Sequence, residues 1–202
     1  MKAVVAIVLA LLMAGCALGP RAEWEDYTTE GRTSFAAKRY ARAESAFTRA
    51  VRAAEDLGPL ELGRSLNNLG ELNRQLAELT NGAQRRARQA EAENLFRRSI
   101  AVKEVGLGPE SPEVATTLNN LARLCADQGR LGDALPLFER SLAIQEKHVG
   151  TEHPVLARTM RNLAAVYRAT GRDHEAFVLE TRAHLLHSED GGDKDDTPPR
   201  RD

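Results

Sequence analysis

The sequence predicts an all-α protein, a right-handed α-solenoid of about four helical hairpins, on three observations. First, residues Ala92 to Ala122 and Ala134 to Ala164 read alike at an offset of 42 positions: a helix of small and apolar residues, a polar loop, then a second helix entered through a proline. A period of that size marks stacked helical hairpins, which bury their apolar faces only against their neighbours. Second, 42% of the residues are apolar but only 4% are aromatic. That balance suits Ala- and Leu-rich seams between close helices and speaks against a β-sandwich or barrel. Third, Gly129 and Gly171 recur at the same 42-residue offset, as do Ser111-Pro112 and His153-Pro154. Glycine accepts the positive φ that ends a helix, and proline in the first turn loses no helical hydrogen bond.

The N-terminus is expected to lie outside that fold. Met1-Lys2 is a short positive region, and Ala3 to Met13 is an unbroken apolar run. As a helix this run would rise only roughly 16 Å, about half of a hydrocarbon core, so residues 1–15 read as a secretion signal. Met13-Ala14-Gly15-Cys16 resembles the bacterial lipobox, with Met13 where Leu is commoner. The resemblance implies that the Cys16 thiol is diacylglycerated, palmitate among its acyl chains, and that the chain is cut before Cys16. Two or three such chains hold a protein on a membrane, whereas one is marginal. An ordinary cleaved signal and an uncleaved anchor continuing through Leu18 are the alternatives. Residues 16–22 then form the lipidated cysteine and a tether whose six residues after Cys16 extend at most roughly 20 Å. Ala17 is not the Asp that commonly retains lipoproteins at the inner membrane, so the expected location is the outer membrane, facing the periplasm.

From Glu23 to His187 the hydrophobic spacing predicts eight helices. The first hairpin is Trp24 to Ala37 with Ala41 to Asp56, where Ala43, Phe47, Ala50 and Val51 share one face at spacings of three and four. The second is Leu60 to Leu79 with Gln84 to Val105, lengthened by roughly ten residues around a Thr80-Asn81-Gly82 turn. That extension reads either as a tolerated insertion or as a second contact surface. The third is Pro112 to Ala126 with Leu131 to Lys147, and the fourth is Pro154 to Ala169 with Asp173 to His187. Gly31, Gly70, Ala122 and Ala164 on the first helices, and Ala43, Ala92, Ala134 and Ala176 on the second, are placed to let paired helices approach closely. Glu180 stands where Phe47, Phe96 and Phe138 stand in the other hairpins, which predicts a polar end cap. Cys125 lies on the stripe of Leu118 and Leu121 and reads as a small buried hydrophobe, or else as an intermolecular or redox thiol. Residues 188–202 hold six acidic and three basic side chains and no large apolar one, which predicts an acidic disordered tail.

Leu118-Asn119-Asn120-Leu121-Ala122, Gln128-Gly129-Arg130, Ala134 to Ile144, Gly150-Thr151-Glu152-His153-Pro154 and Asn162-Leu163-Ala164 resemble tetratricopeptide repeats, narrowly those of the kinesin-light-chain type. Asn67-Asn68-Leu69-Gly70 extends the likeness backward, and Gly31 to Val51 is a looser first repeat. The resemblance implies that the first helix of each hairpin lines a concave surface. Residues four apart would then point into it: Arg64 with Asn68, Thr116 with Asn120, and Arg158 with Asn162. These resemble the cation-plus-Asn arrangement by which some members hold a C-terminal carboxylate. Amides satisfy an extended backbone, and guanidinium forks grip carboxylates in pairs. Arg74, Arg123, Arg161 and Arg168 fall near the same face, which predicts a basic groove on a protein of net charge −1. A solvated Arg surface with loop-stabilising Asn is the other reading.

Three classes of function follow. The leading expectation is a non-enzymatic, lipid-tethered scaffold or adaptor of the cell envelope, binding an acidic or carboxylate-bearing segment of a protein partner. A homo-oligomerising structural lipoprotein, or a regulatory subunit of an envelope enzyme, are the alternatives. Catalysis is not expected, since the chain holds no His-Glu-x-x-His, Gly-x-Ser-x-Gly, phosphate-binding Gly-rich run or Cys-x-x-Cys. Neither a cofactor nor a metal is expected. His174, His184 and His187 lack a carboxylate or thiol partner at clear spacing, and Asp190 to Asp196 lacks the ligand alternation of a calcium loop. The near-neutral charge also argues against nucleic acid.

Overall fold

The structure, a computed structural model, describes residues 19–188. The expected signal segment, the expected lipidation at Cys16 and the expected acidic tail of residues 189–202 therefore lie outside the described residues. Eight helices and no strand are present among those described: α1 Pro20–Ala36, α2 Tyr40–Ala54, α3 Pro59–Glu78, α4 Gly82–Leu107, α5 Pro112–Asp127, α6 Leu131–Val149, α7 Leu156–Ala169 and α8 Asp173–Ser188. This is the all-α helical repeat fold that the sequence predicts. None of these helices is long and apolar enough to cross a membrane. The chain divides into two compact units, residues up to Leu95 and residues from Phe96.

In the first unit α1 and α2 form a hairpin, and α2 packs on α3. Phe47 is 2% exposed and sits with Ala43 and Leu72, covered by Phe35, Tyr40, Leu69 and Leu76. A second cluster joins Trp24, Ala50 and Ala54 to Tyr27, Leu57 and Leu62. The Trp24 indole N–H donates to Ser65 Oγ at 2.7 Å, which satisfies its buried donor. Gly31 is the contact point of the first hairpin: a Cβ there would stand 2.4 Å from two ring atoms of Phe47. Ala43, Ala92, Ala134 and Ala176 are all fully buried, as a close seam requires.

Helix starts shift from the sequence reading, most informatively at α1 and α7. The tether ends sooner than expected, because Pro20 to Ala22 are the first turn of α1. Proline at the first helical position has no amide hydrogen to lose, and Arg21 is held by Glu61 of α3 at 2.8 Å. Conversely, Pro154 lies in a turn ahead of α7, which begins at Leu156. The Leu156 and Ala157 amides bond three residues back, to His153 and Pro154 carbonyls, and the Val155 amide donates to His153 Nδ1 at 3.2 Å. Pro112, by contrast, begins α5 directly, with Ser111 Oγ accepting from the Val114 amide. The last helix also runs one residue further than expected, taking in Ser188.

The turns inside three of the hairpins share one motif. At Gly129 (φ 74°) the Arg130 amide reaches back to the Cys125 carbonyl at 2.9 Å and the Gly129 amide to Ala126. Gly171 (φ 77°) repeats this with Arg172 to Tyr167 and Gly171 to Arg168. In the first hairpin the same two bonds close around Lys38 at φ 56°, with no glycine to ease it.

In the second unit α5 pairs with α6, α7 pairs with α8, and α6 packs on α7. Val114, Ala115, Leu118 and Ile144 form a core flanked by Ile100 and Leu137. Cys125 is buried, with Arg130 Nη2 3.4 Å from its sulfur, so it packs as a small core residue. Lys103 is 1% exposed; its ammonium donates to Thr117 Oγ1 at 2.8 Å and to the Glu113 carbonyl at 3.1 Å. The end of the array is less polar than expected. Glu180 does ion-pair with Arg168, yet Phe177, Val178 and Leu185 of α8 are 65%, 49% and 58% exposed.

Candidate functional site

In the first unit, Arg64 and Asn68 lie one turn apart on α3, Arg64 exposed and Asn68 half-buried. Arg74 does not join them as a free cation. It is 4% exposed, with Glu71 at 2.9 Å and Glu78 at 2.5 Å, so its charge is spent within α3. The long second hairpin is tied down in the same unit. Arg88 Nη1 bonds Glu44 at 2.5 Å and Asn73 Oδ1 at 2.8 Å, while Arg85 Nε reaches the Thr80 carbonyl at 3.0 Å, at the end of α3.

In the second unit the expected face is assembled from α5 and α7. Thr116, Asn119, Asn120 and Arg123 of α5 precede Arg158, Arg161, Asn162 and Ala165 of α7 by 42 positions each, so the two helices present the same register. A hollow of about 310 Å³ opens between them, bounded by Arg123, Asp127, Leu131, Phe138, Asn162 and Ala165. Two of the expected residues, Arg123 and Asn162, thus line a real concavity. Arg158 and Arg161 are exposed on α7 and have no ion-pair partner among the described residues.

Three expected roles change. Asn120 is only 7% exposed, so it stabilises the helix packing more than it presents an amide. The Thr116 hydroxyl donates to the Pro112 carbonyl of its own helix at 3.1 Å. Arg168 is paired with Glu180 at 2.5 Å and contributes no free charge. The groove is therefore less basic than the arginine count predicts, and Asp127 stands on its wall beside Arg123.

Asn119 was missed as a site residue. It is fully buried, its Oδ1 accepts from Asn162 Nδ2 at 3.2 Å, and its own Nδ2 has no acceptor among the described residues. A buried amide donor left unmade is costly. The doubled Asn119-Asn120 in the sequence was the available signal, and only packing separates their roles.

A second cleft, of about 440 Å³, lies between α6 and α8. Leu142, Ala143, Leu163, Val178 and Leu179 line it, and three carboxylates rim it. Each of the three is engaged: Glu139 by the Tyr167 hydroxyl at 2.8 Å, Glu146 by Arg182 at 2.6 Å, and Glu175 by Arg172 at 2.8 Å. Burial, then the bond to Glu139, pushes the Tyr167 phenol above its usual range. The Arg172 hydrogen bond holds Glu175 below the usual carboxylate range, while Arg172 itself stacks 4.1 Å over the Tyr167 ring. Among the described residues no group of three His, Cys, Asp or Glu is placed to hold a metal.

The comparisons with known proteins agree with the all-α repeat fold. No curated protein sequence matches the chain. Among solved structures, BtubC (BKLC) from P. vanneervenii superposes with a TM-score of 0.72 at 24% identity, covering 92% of this chain and 70% of that one. Kinesin-light-chain, nearly identical TPR-like repeats from Podosopora anserina give 0.65 at 20% identity, covering 92% and 84%. Aspartyl phosphate phosphatase F from Bacillus subtilis gives 0.68 at 16% identity, covering 85% of this chain but 41% of its own length. At such identities these likenesses speak for the fold alone. The sequence model of the tetratricopeptide repeat matches residues 81–147 and 128–184, more than half of the chain taken together. With its hairpins, its glycine-closed turns and its recurring Asn face, the chain belongs to the tetratricopeptide repeat family.

Proposed function

We propose that this chain, a tetratricopeptide-repeat interaction scaffold, is a non-enzymatic adaptor that grips an acidic or carboxylate-bearing peptide segment along the α5/α7 face, and that a lipid on Cys16 tethers it to the periplasmic side of the outer membrane. The observation that carries the peptide reading is the pair of exposed guanidinium groups of Arg158 and Arg161, without an ion-pair partner among the described residues, beside the half-buried Asn162 amide and the hollow between the helices. Guanidinium forks hold carboxylates, and the amides offer donors and acceptors to an extended backbone. Nothing in the face supplies a nucleophile with a base beside it, so recognition is the work assigned to it.

Two measurements test the proposal. Fluorescence polarisation against acidic, neutral and basic peptides should show binding of the acidic set alone, weakening as salt rises. Arg158→Ala with Asn162→Ala should lower that affinity at least tenfold, and equal binding of all three peptide sets would refute the groove. For the tether, mass spectrometry of the native product should find acyl chains that vanish in Cys16→Ser, and an unmodified N-terminus would remove the membrane part of the proposal.

A further inference from the structure

We propose that α1 docks antiparallel on α1 of a second copy of this chain, about a two-fold axis at Thr29, with Asp26 of each copy paired to Arg32 of the other. The contact lies wholly within the first unit and stands apart from the α5/α7 reading. Three observations carry it.

The first is an uncovered helix face. α1 turns Trp24, Gly31 and Ser34 inward. At 3.6 residues per turn, Ala22, Asp26, Thr29, Thr33 and Ala36 fall on its opposite side, and all but the half-buried Ala22 are exposed. Among the described residues no helix precedes α1 to stack there. An open hollow of about 460 Å³ runs along Thr29, Arg32, Thr33, Phe35 and Ala36, which gives a second helix a seat. With such short side chains at the contact, the two axes approach to the near end of the usual separation of roughly 8–10 Å.

The second is charge. Glu25 and Asp26 stand toward one end of this face and Arg32 toward the other, with Lys38 and Arg39 just past the helix. All of these are exposed, and none has an ion-pair partner among the described residues. Within one copy Asp26 and Arg32 are separated by about 9 Å of helical rise and do not meet.

The third is self-complementarity. In an antiparallel pair centred on Thr29, residues equally far before and after it face each other, so Asp26 meets Arg32, Glu25 meets Thr33 and Ala22 meets Ala36. Opposite charges meet at both ends. A parallel pair would instead set Arg32 on Arg32 and Asp26 on Asp26, so charge selects the antiparallel one. A two-fold contact of this kind uses the same patch on both copies and closes at two. One helix face about 25 Å long is smaller than the interface of a standing dimer, so the contact belongs among the weak and salt-sensitive ones.

The test uses the full chain carrying Thr29→Cys, whose thiols an antiparallel pair brings together on the axis, and reads the disulfide-linked fraction on a non-reducing gel after mild oxidation. Gln84→Cys, exposed on α4, measures chance collision. Thr29→Cys should link at least fivefold more than Gln84→Cys, and the excess should shrink in half-molar salt. Adding Asp26→Arg or Arg32→Asp should each abolish the excess, since either reversal sets like charges against each other at both ends. Both positions are exposed, so the core is untouched. Mixing the two charge variants, one of them size-tagged, should restore the linked species as a mixed dimer, because every carboxylate again faces a guanidinium. Equal linking of Thr29→Cys and Gln84→Cys overturns the inference. An excess that survives either reversal, or a mixture that does not regain it, places the contact elsewhere and overturns it too. None of these results bears on the α5/α7 groove.

Discussion

Replacing Gly31 by alanine sets two effects of opposite sign against each other. In the middle of a helix alanine is favoured over glycine by about 1 kcal/mol. Here the added Cβ would lie 2.4 Å from both Cδ1 and Cε1 of Phe47, whereas carbon atoms rest about 3.5–4.0 Å apart. The ring would have to retreat by more than about 1 Å, yet it is 2% exposed and enclosed by Ala43, Leu72 and their flanking residues. Overpacking of this kind costs about 1–3 kcal/mol, so the net effect should be a loss of about 1 kcal/mol. Urea denaturation gives the value directly from the shift in midpoint at constant slope. Two comparisons isolate the cause. Gly132→Ala in α6, where a Cβ meets nothing within 4 Å, should stabilise by a few tenths up to about 1 kcal/mol. In a Phe47→Leu background, Gly31→Ala should turn from destabilising to neutral or stabilising, as contacting residues couple. If Gly31→Ala stabilises the native chain as Gly132→Ala does, the close approach of α1 and α2 at Phe47 is refuted.

Further outcomes follow from the same packing and charges. Lys38 holds the αL position that Gly129 and Gly171 hold elsewhere, so Lys38→Gly should raise stability by about 0.5–1 kcal/mol in urea; a loss would mean that its side chain serves the turn. Ala134→Leu, at a fully buried seam position, should cost about 1–3 kcal/mol, and an unchanged melting temperature would discredit the α5/α6 register. Acid should weaken the fold below the ordinary glutamate value of 4.5: hydrogen bonds from Arg42, Lys147 and Arg172 hold Glu30, Glu110 and Glu175 below it in the folded state. The stability they contribute is present above 4.5 and lost as pH falls through the lowered values. Replacing all three by glutamine should flatten the dependence of the urea midpoint on pH between 5 and about 3, and an unaltered slope would deny them that part.

What the sequence by itself determined was most of what depends on neighbours a few positions away. The repeat offset, the turns at Gly129 and Gly171, the cap at Ser111 and the buried alanines were legible because helix periodicity and backbone sterics are local. Even the pairing of Arg74 lay in reach, since Glu71 and Glu78 stand three and four residues from it. The start of α7 differs from the spacing-based reading: the Val155 amide donates to a ring nitrogen of His153 and Pro154 lies ahead of the helix, a side-chain choice that spacing does not record. Only the tertiary structure decided which arginines are free and which amides are buried. Arg168 is neutralised by Glu180 on the next helix, Arg88 by Glu44 two helices away, and Asn119 is sealed while Asn162 reaches it across 43 positions. Those are questions of desolvation and pairing between segments distant in the chain, and on α7 they leave two of the apparently equivalent cations, Arg158 and Arg161, exposed and without an ion-pair partner among the described residues.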